Sequence, residues 1–295
     1  MVGKLIKHEA RLQGWPMFSV LAAQVVVFLL AFLTWVFPFG GVTMIWSVFA
    51  IMVLFGLYVA VGILLLINYY RSMYGRSGYF TMSLPVSGAK IYAVKVLWAF
   101  VVWLFSIVLA LLGTLFYGLG MGRAATEGNP AVPQSVPGII RLAYSDPVSV
   151  EILQSVTGFM LLLVVAGTAL SVFEWAFVIT FGNTPLMLRL GKAGGMIVAF
   201  IINYVVVTVL SVAATFLIPL QFKVGDETEI YAGNVYAGTN VVHGDWGWVF
   251  TSPIESIVNG DTNVIPMGSL VVYPLCMVAY ILVTIWMINR HTSLR

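Results

Sequence analysis

Long apolar runs separated by short polar stretches set the plan of this chain. Six stand out, at roughly residues 17–37, 43–67, 91–120, 156–182, 195–220 and 267–289. Each meets or exceeds the ~20 residues that a helix needs to cross a bilayer. An even number of crossings returns both termini to one side. The first connection, Pro38-Phe39-Gly40-Gly41, is uncharged and turn-forming, so spans one and two are predicted to form a hairpin. Spans three and four are long enough to tilt or to project beyond the lipid. The predicted fold class is an all-α integral membrane protein with six transmembrane helices in a single domain over residues 1–295.

Ahead of the first run, residues 2–16 carry a different pattern. Lys4, Lys7 and Arg11 recur at i, i+3 and i+7, which puts them on one stripe of a helix, while Val2, Leu5, Ile6, Ala10 and Leu12 fall on the other side. This predicts an amphipathic helix along the membrane interface, with Glu9 and Gln13 as blemishes on its apolar face. A signal peptide is the rival reading, but the apolar stretch of residues 17–37 is too long for its core and lacks a small-x-small cleavage site.

Composition agrees with the runs: 61% of residues are hydrophobic and 8% charged, with a mean hydropathy of +1.01. An ordinary soluble domain is about 25% charged, so that class is excluded. The net charge of +3 says less than where the cations lie. With both termini cytoplasmic, the inner segments hold Lys4, Lys7, Arg11, Arg71, Arg76, Lys90, Lys95, Arg189, Lys192, Arg290 and Arg295, eleven of the fourteen. Only Arg123, Arg141 and Lys223 fall outside, and this excess of inner cations predicts a cytoplasmic location for both ends. Cys276 is the single cysteine, which excludes an intrachain disulfide and multi-cysteine metal motifs.

The connection between spans two and three, residues 68–90, is the most informative loop. From Asn68 to Lys95 it holds Arg71, Arg76, Lys90 and Lys95 and no acid. Read by local chemistry alone, Pro85 pushes Leu84 out of helical geometry and Ser87 is a good N-cap, so the phrase is a turn that starts a membrane helix. The sequence Tyr79-Phe80-Thr81-Met82-Ser83-Leu84-Pro85-Val86-Ser87, followed by Lys90-Ile91 and Lys95, also resembles the loop between spans two and three of type-2 permease subunits of ATP-binding-cassette (ABC) exporters. The likeness extends to the amphipathic first helix, the six spans and the short inner loop after span four. It implies that Arg76, Tyr79, Phe80, Leu84, Pro85, Val86, Ser87 and Lys90 couple this chain to an ATPase. It implies further that two permease subunits, identical or homologous, pair in the cell membrane above two ATPase subunits. ATP and Mg would be bound by those partners, with no cofactor in this chain.

Two segments on the opposite side are large for such a permease. Residues 121–155 contain the proline-punctuated NPAVPQSVP and then a stretch predicted to form one or two short helices. Residues 221–266 hold the acidic cluster Asp226-Glu227-Thr228-Glu229 and aromatics at Tyr231, Tyr236, Trp246 and Trp248, where short strands or a hairpin are predicted. They form either a polar cap with aromatic anchors at the headgroups or a vestibule facing substrate.

Chemistry of other kinds finds little footing. A phosphate-cradling GxxxxGK[ST] loop is missing, because Gly191-Lys192 is followed by Ala193 and preceded at the required spacing by Leu186. His8, His243 and His291 are far apart, and no metalloprotease or hydrolase phrase occurs. Nothing points to nucleic acid; the partners implied are ATPases, a second permease and membrane lipid. Glu174 is out of place, eight residues before Gly182 in span four and so roughly 12 Å from its inner end. Such an acid is costly in lipid and calls for a partner, with Arg71, Arg189 and Asn68 as candidates. Alternatively it couples protons or binds a cationic substrate. Asn203 and Asn289 read as interhelical hydrogen-bonding residues. The reading that results is an ABC exporter permease without enzymatic activity of its own. The alternatives are an ion- or proton-coupled carrier using Glu174 and a non-transporting scaffold subunit.

Overall fold

The computed structural model describes residues 2–37, 41–75, 78, 86–125, 147–223, 247–259 and 264–290. Seven α-helices account for most of them: α1 (Val2–Val36), α2 (Gly41–Met73), α3 (Gly88–Ala125), α4 (Pro147–Gly182), α5 (Lys192–Leu217), α6 (Pro253–Asn259) and α7 (Ser269–Arg290). All but α6 contain a stretch long and apolar enough to span a membrane: Gln13–Val36, Gly41–Met73, Gly88–Gly122, Leu161–Gly182, Ala193–Leu217 and Ser269–Asn289. Away from their ends, helices satisfy their backbone N–H and C=O groups within themselves, which an apolar solvent requires. The chain is an all-α, multi-pass membrane protein.

α1 is two helices in succession. At Gly14 the backbone turns to φ 59°, ψ −166°, a region open essentially to glycine alone. Pro16 follows, tolerated in the first turn of the new helix because its missing N–H has no partner to lose there. The break separates the amphipathic residues from the first apolar run, where the pattern of cations predicts it. Beside the break Trp15 is 83% exposed.

Two boundaries differ from the sequence reading. α2 continues through Asn68–Met73, six residues beyond its apolar run, so the connection to α3 shortens from residues 68–90 to 74–87. Polarity ended the apolar pattern at Asn68, but nothing in Asn-Tyr-Tyr-Arg-Ser-Met breaks a helix before Gly75. The second difference is α4, which begins at Pro147 and runs unbroken for 36 residues. The later part of the stretch expected to form short helices after the prolines is therefore the start of this one long helix, ahead of its membrane-spanning residues Leu161–Gly182, and the earlier part lies outside the described residues.

The chain divides into two compact units, residues 1–176 with 288–295, and residues 177–287. In the first, α1, α2 and α3 pack in two apolar layers. Met17, Val61, Leu65 and Val102 form one, and Ala31, Ala50, Leu54 and Tyr117 the other. Polar bonds cross the same interfaces. Gln24 Nε2 donates to the Ser106 carbonyl at 2.7 Å, Ser106 Oγ donates to Gln24 Oε1 at 2.8 Å, and the Tyr117 hydroxyl donates to the Val27 carbonyl at 3.1 Å.

In the second unit, a 3-10 turn at Met187–Leu190 leads into α5. Gly195 lets the chain close up there: a Cβ at this position would lie 2.7 Å from the Met187 carbonyl oxygen and 2.8 Å from that of Gly182. The Tyr280 hydroxyl of α7 donates to Asn203 Oδ1 of α5 at 2.8 Å, the interhelical role predicted for Asn203. The Tyr280 ring lies 5.0 Å from Phe177. Between α5 and α7 the chain forms an antiparallel sheet of three short strands, β1 (Gln221–Lys223), β2 (Gly247–Val249) and β3 (Val264–Pro266), with β1 central. The prediction of short strands in this segment is met, with the register Phe222 opposite Trp248 and Ile265. Asp226 to Trp246 lie outside the described residues, as does the stretch from 126 to 146.

Candidate functional site

The candidate site is the connection between α2 and α3, and the structure gives its two ends. At the exit of α2 the helix closes with Tyr74 N–H and Gly75 N–H both donating to the Tyr70 carbonyl, at 2.8 and 3.0 Å. Arg71, in this last turn, is exposed. At the start of α3 the Ser87 carbonyl accepts the N–H groups of Lys90 and Ile91 at 2.9 and 3.3 Å, so Ser87 occupies the cap position anticipated for it. Val86 is half-buried, whereas Ser87 and Lys90 are exposed. The other residues assigned to coupling, Arg76, Tyr79, Phe80, Leu84 and Pro85, lie outside the described residues.

A buried polar cluster sits directly behind these ends. Lys95 Nζ donates to Glu9 Oε2 at 2.8 Å and to Ser72 Oγ at 2.8 Å. Ser72 Oγ in turn donates to the Tyr69 carbonyl at 3.2 Å. Three helices meet there: Glu9 comes from the amphipathic part of α1, Ser72 from the last turn of α2 and Lys95 from the second turn of α3. Lys95 is 5% exposed, Glu9 6% and Ser72 0%. Gln13, one helical turn beyond Glu9, is buried as well. Lys7, His8 and Arg11 on the other side of that helix are exposed.

The supposed blemishes of residues 2–16 are therefore buried, and Lys95, counted among the loop cations, points into the protein. Each ion alone would be costly in such surroundings. Paired and hydrogen-bonded they hold, and removing one partner of a buried pair costs about 3–5 kcal/mol. A signal for this was present in the sequence: one acid on an apolar helix face and one cation inside an apolar span, of opposite sign. What the sequence could not supply was their adjacency, across 86 positions.

Glu174 is half-buried in α4 and is not without an interaction partner. Of the candidates named for it, Arg71 and Arg189 are exposed and Asn68 is half-buried, and Arg71 likewise has an interaction partner. Among the described residues no three His, Cys, Asp or Glu side chains lie close enough to hold a metal ion. Comparison of the chain with protein-family models, with curated proteins and with solved structures finds no match in any of the three.

Proposed function

We propose that this chain is the membrane-spanning subunit of an ABC exporter of the type-2 permease class, moving its cargo with ATP hydrolysed by separate ATPase subunits. The observation that carries the reading is the cation-bearing connection between the second and third of six spans, with the phrase Leu84-Pro85-Val86-Ser87 leading into α3. Short, exposed at Ser87 and Lys90, and continuous with two long helices, this connection is suited to receive a push from a partner and pass it along α2 and α3. The excess of Lys and Arg on this side supports a cytoplasmic location for the connection and both termini, where ATP is available. The partners are two ATPase subunits and a second permease, identical or homologous, in the cell membrane.

The test is capture. The chain, purified together with a candidate ATPase subunit carrying Walker motifs, should retain that ATPase and stimulate its hydrolysis. Replacing Arg76, Phe80 and Leu84 together should abolish both while leaving membrane insertion intact. A triple variant that still captures and stimulates the ATPase removes the loop from the mechanism. The half-buried Glu174 keeps a carrier mechanism as the second reading. In vesicles, Glu174→Gln should leave ATP-driven transport in place at a reduced level, and a proton gradient alone should drive nothing. Transport driven by a gradient in the wild type and lost in Glu174→Gln would establish the carrier instead.

A further inference from the structure

The buried cluster is an unusual choice for simple stability. An ion pair taken out of solvent gives back in attraction roughly what it loses in desolvation, and well-packed apolar residues in its place are often as stable or more so. What directional bonds supply and apolar contacts do not is register, since apolar surfaces slide past one another at little cost. Here the bonds converge on one ammonium group. Ser72 is the penultimate residue of α2, and Lys95 lies seven residues into α3, about 10 Å along its axis. Glu9 precedes the Gly14 break by five residues, on the part of α1 that the break frees from the direction of the first span.

We propose that Glu9, Lys95 and Ser72 form a latch that makes the amphipathic N-terminal helix the positioning brace of the α2–α3 connection. The latch fixes the exit of α2, the start of α3 and the N-terminal helix in one register. A force on the connection is then delivered to α1, α2 and α3 together instead of being lost in relative sliding. The proposal rests on the reading of that connection as the coupling element. Glu9, Lys95 and Ser72 are positioning residues and touch no substrate.

The test uses the full chain in lipid nanodiscs with Cys276→Ala, carrying spin labels at Arg11→Cys and Ser87→Cys, both exposed. The parent should give one narrow distance distribution. The apolar pair Glu9→Leu with Lys95→Leu, which leaves no buried charge, should at least double its width, and the exchanged pair Glu9→Lys with Lys95→Glu should return it to near the parental value. A parental width in the apolar pair overturns the latch. If the apolar pair fails to fold, Ser72→Ala keeps the ion pair and removes only the α2 arm; it should broaden the same distribution, and no change overturns the proposal. In unlabelled chains, the apolar pair should still capture the ATPase but stimulate it at least tenfold less, with the exchanged pair recovering most of the loss. Apolar-pair stimulation at the parental level contradicts the brace. Failure of the unaltered chain to capture any ATPase contradicts the permease reading, and the distance measurement then still decides whether the latch exists.

Discussion

Polar bonds tie helices in both units, which differ in how far their spans are covered. In the first, α1, α2 and α3 are crossed by polar bonds at three levels: Glu9–Lys95–Ser72, Gln24–Ser106 and Tyr117–Val27. In the second, α5 buries only 11% of its apolar window, against 22–33% for the other five spans. Tyr280–Asn203 is a polar bond of the same kind there. Within lipid the tails are as apolar as leucine, so burial of leucine drives no association, and packing with interhelical hydrogen bonds must do it. The first unit is built as a tied bundle. The second presents α5, with Ile197, Ile201, Val205 and Val209 all exposed, to whatever surrounds it.

The sharpest way to break this contrast is to untie the first unit at its buried charge. Lys95→Met leaves the Glu9 carboxyl buried without its cation, and should cost about 3–5 kcal/mol in a denaturant titration of the purified chain. Adding Glu9→Met should recover most of that loss, since an apolar pair carries no desolvation penalty. A single variant as stable as the parent would mean that Glu9 finds water or another cation, and that the first unit is less enclosed than described.

A smaller effect is expected at the Gly14 break. Gly14→Ala forces a side chain into backbone angles that L-residues avoid, at about 1–3 kcal/mol. The loss should be local: limited proteolysis ought to release the residues ahead of position 14 while the spans stay intact. Loss of the whole fold would show that the N-terminal helix is part of the core of the first unit and not a brace upon it.

Smallest is the tie in the second unit. Tyr280→Phe removes the hydroxyl from Asn203 and keeps the ring against Phe177. Interhelical hydrogen bonds in membranes average about 0.6 kcal/mol and reach about 1.7 kcal/mol, so unfolding should shift by no more than that. A larger shift would put the two units on an equal footing and remove the distinction between them.

The crossings were legible in the sequence because their cause is local. A run of twenty or so apolar residues must be helical in lipid whatever its neighbours, and the cationic stripe of Lys4, Lys7 and Arg11 marks a separate first helix by periodicity alone. Ser87 was readable as a cap for the same reason. The end of α2 was not, since the apolar run stopped at Asn68 but the helix ran on to Met73, and no helix breaker marks the difference. The latch was readable only in halves. Glu9 and Lys95 each appeared as an exception to its own segment's pattern, and a pattern has no means of matching exceptions 86 positions apart. Tertiary structure decides that match, because the cost of burying a charge is settled by what lies within about 3 Å of it and not by what precedes it in the chain.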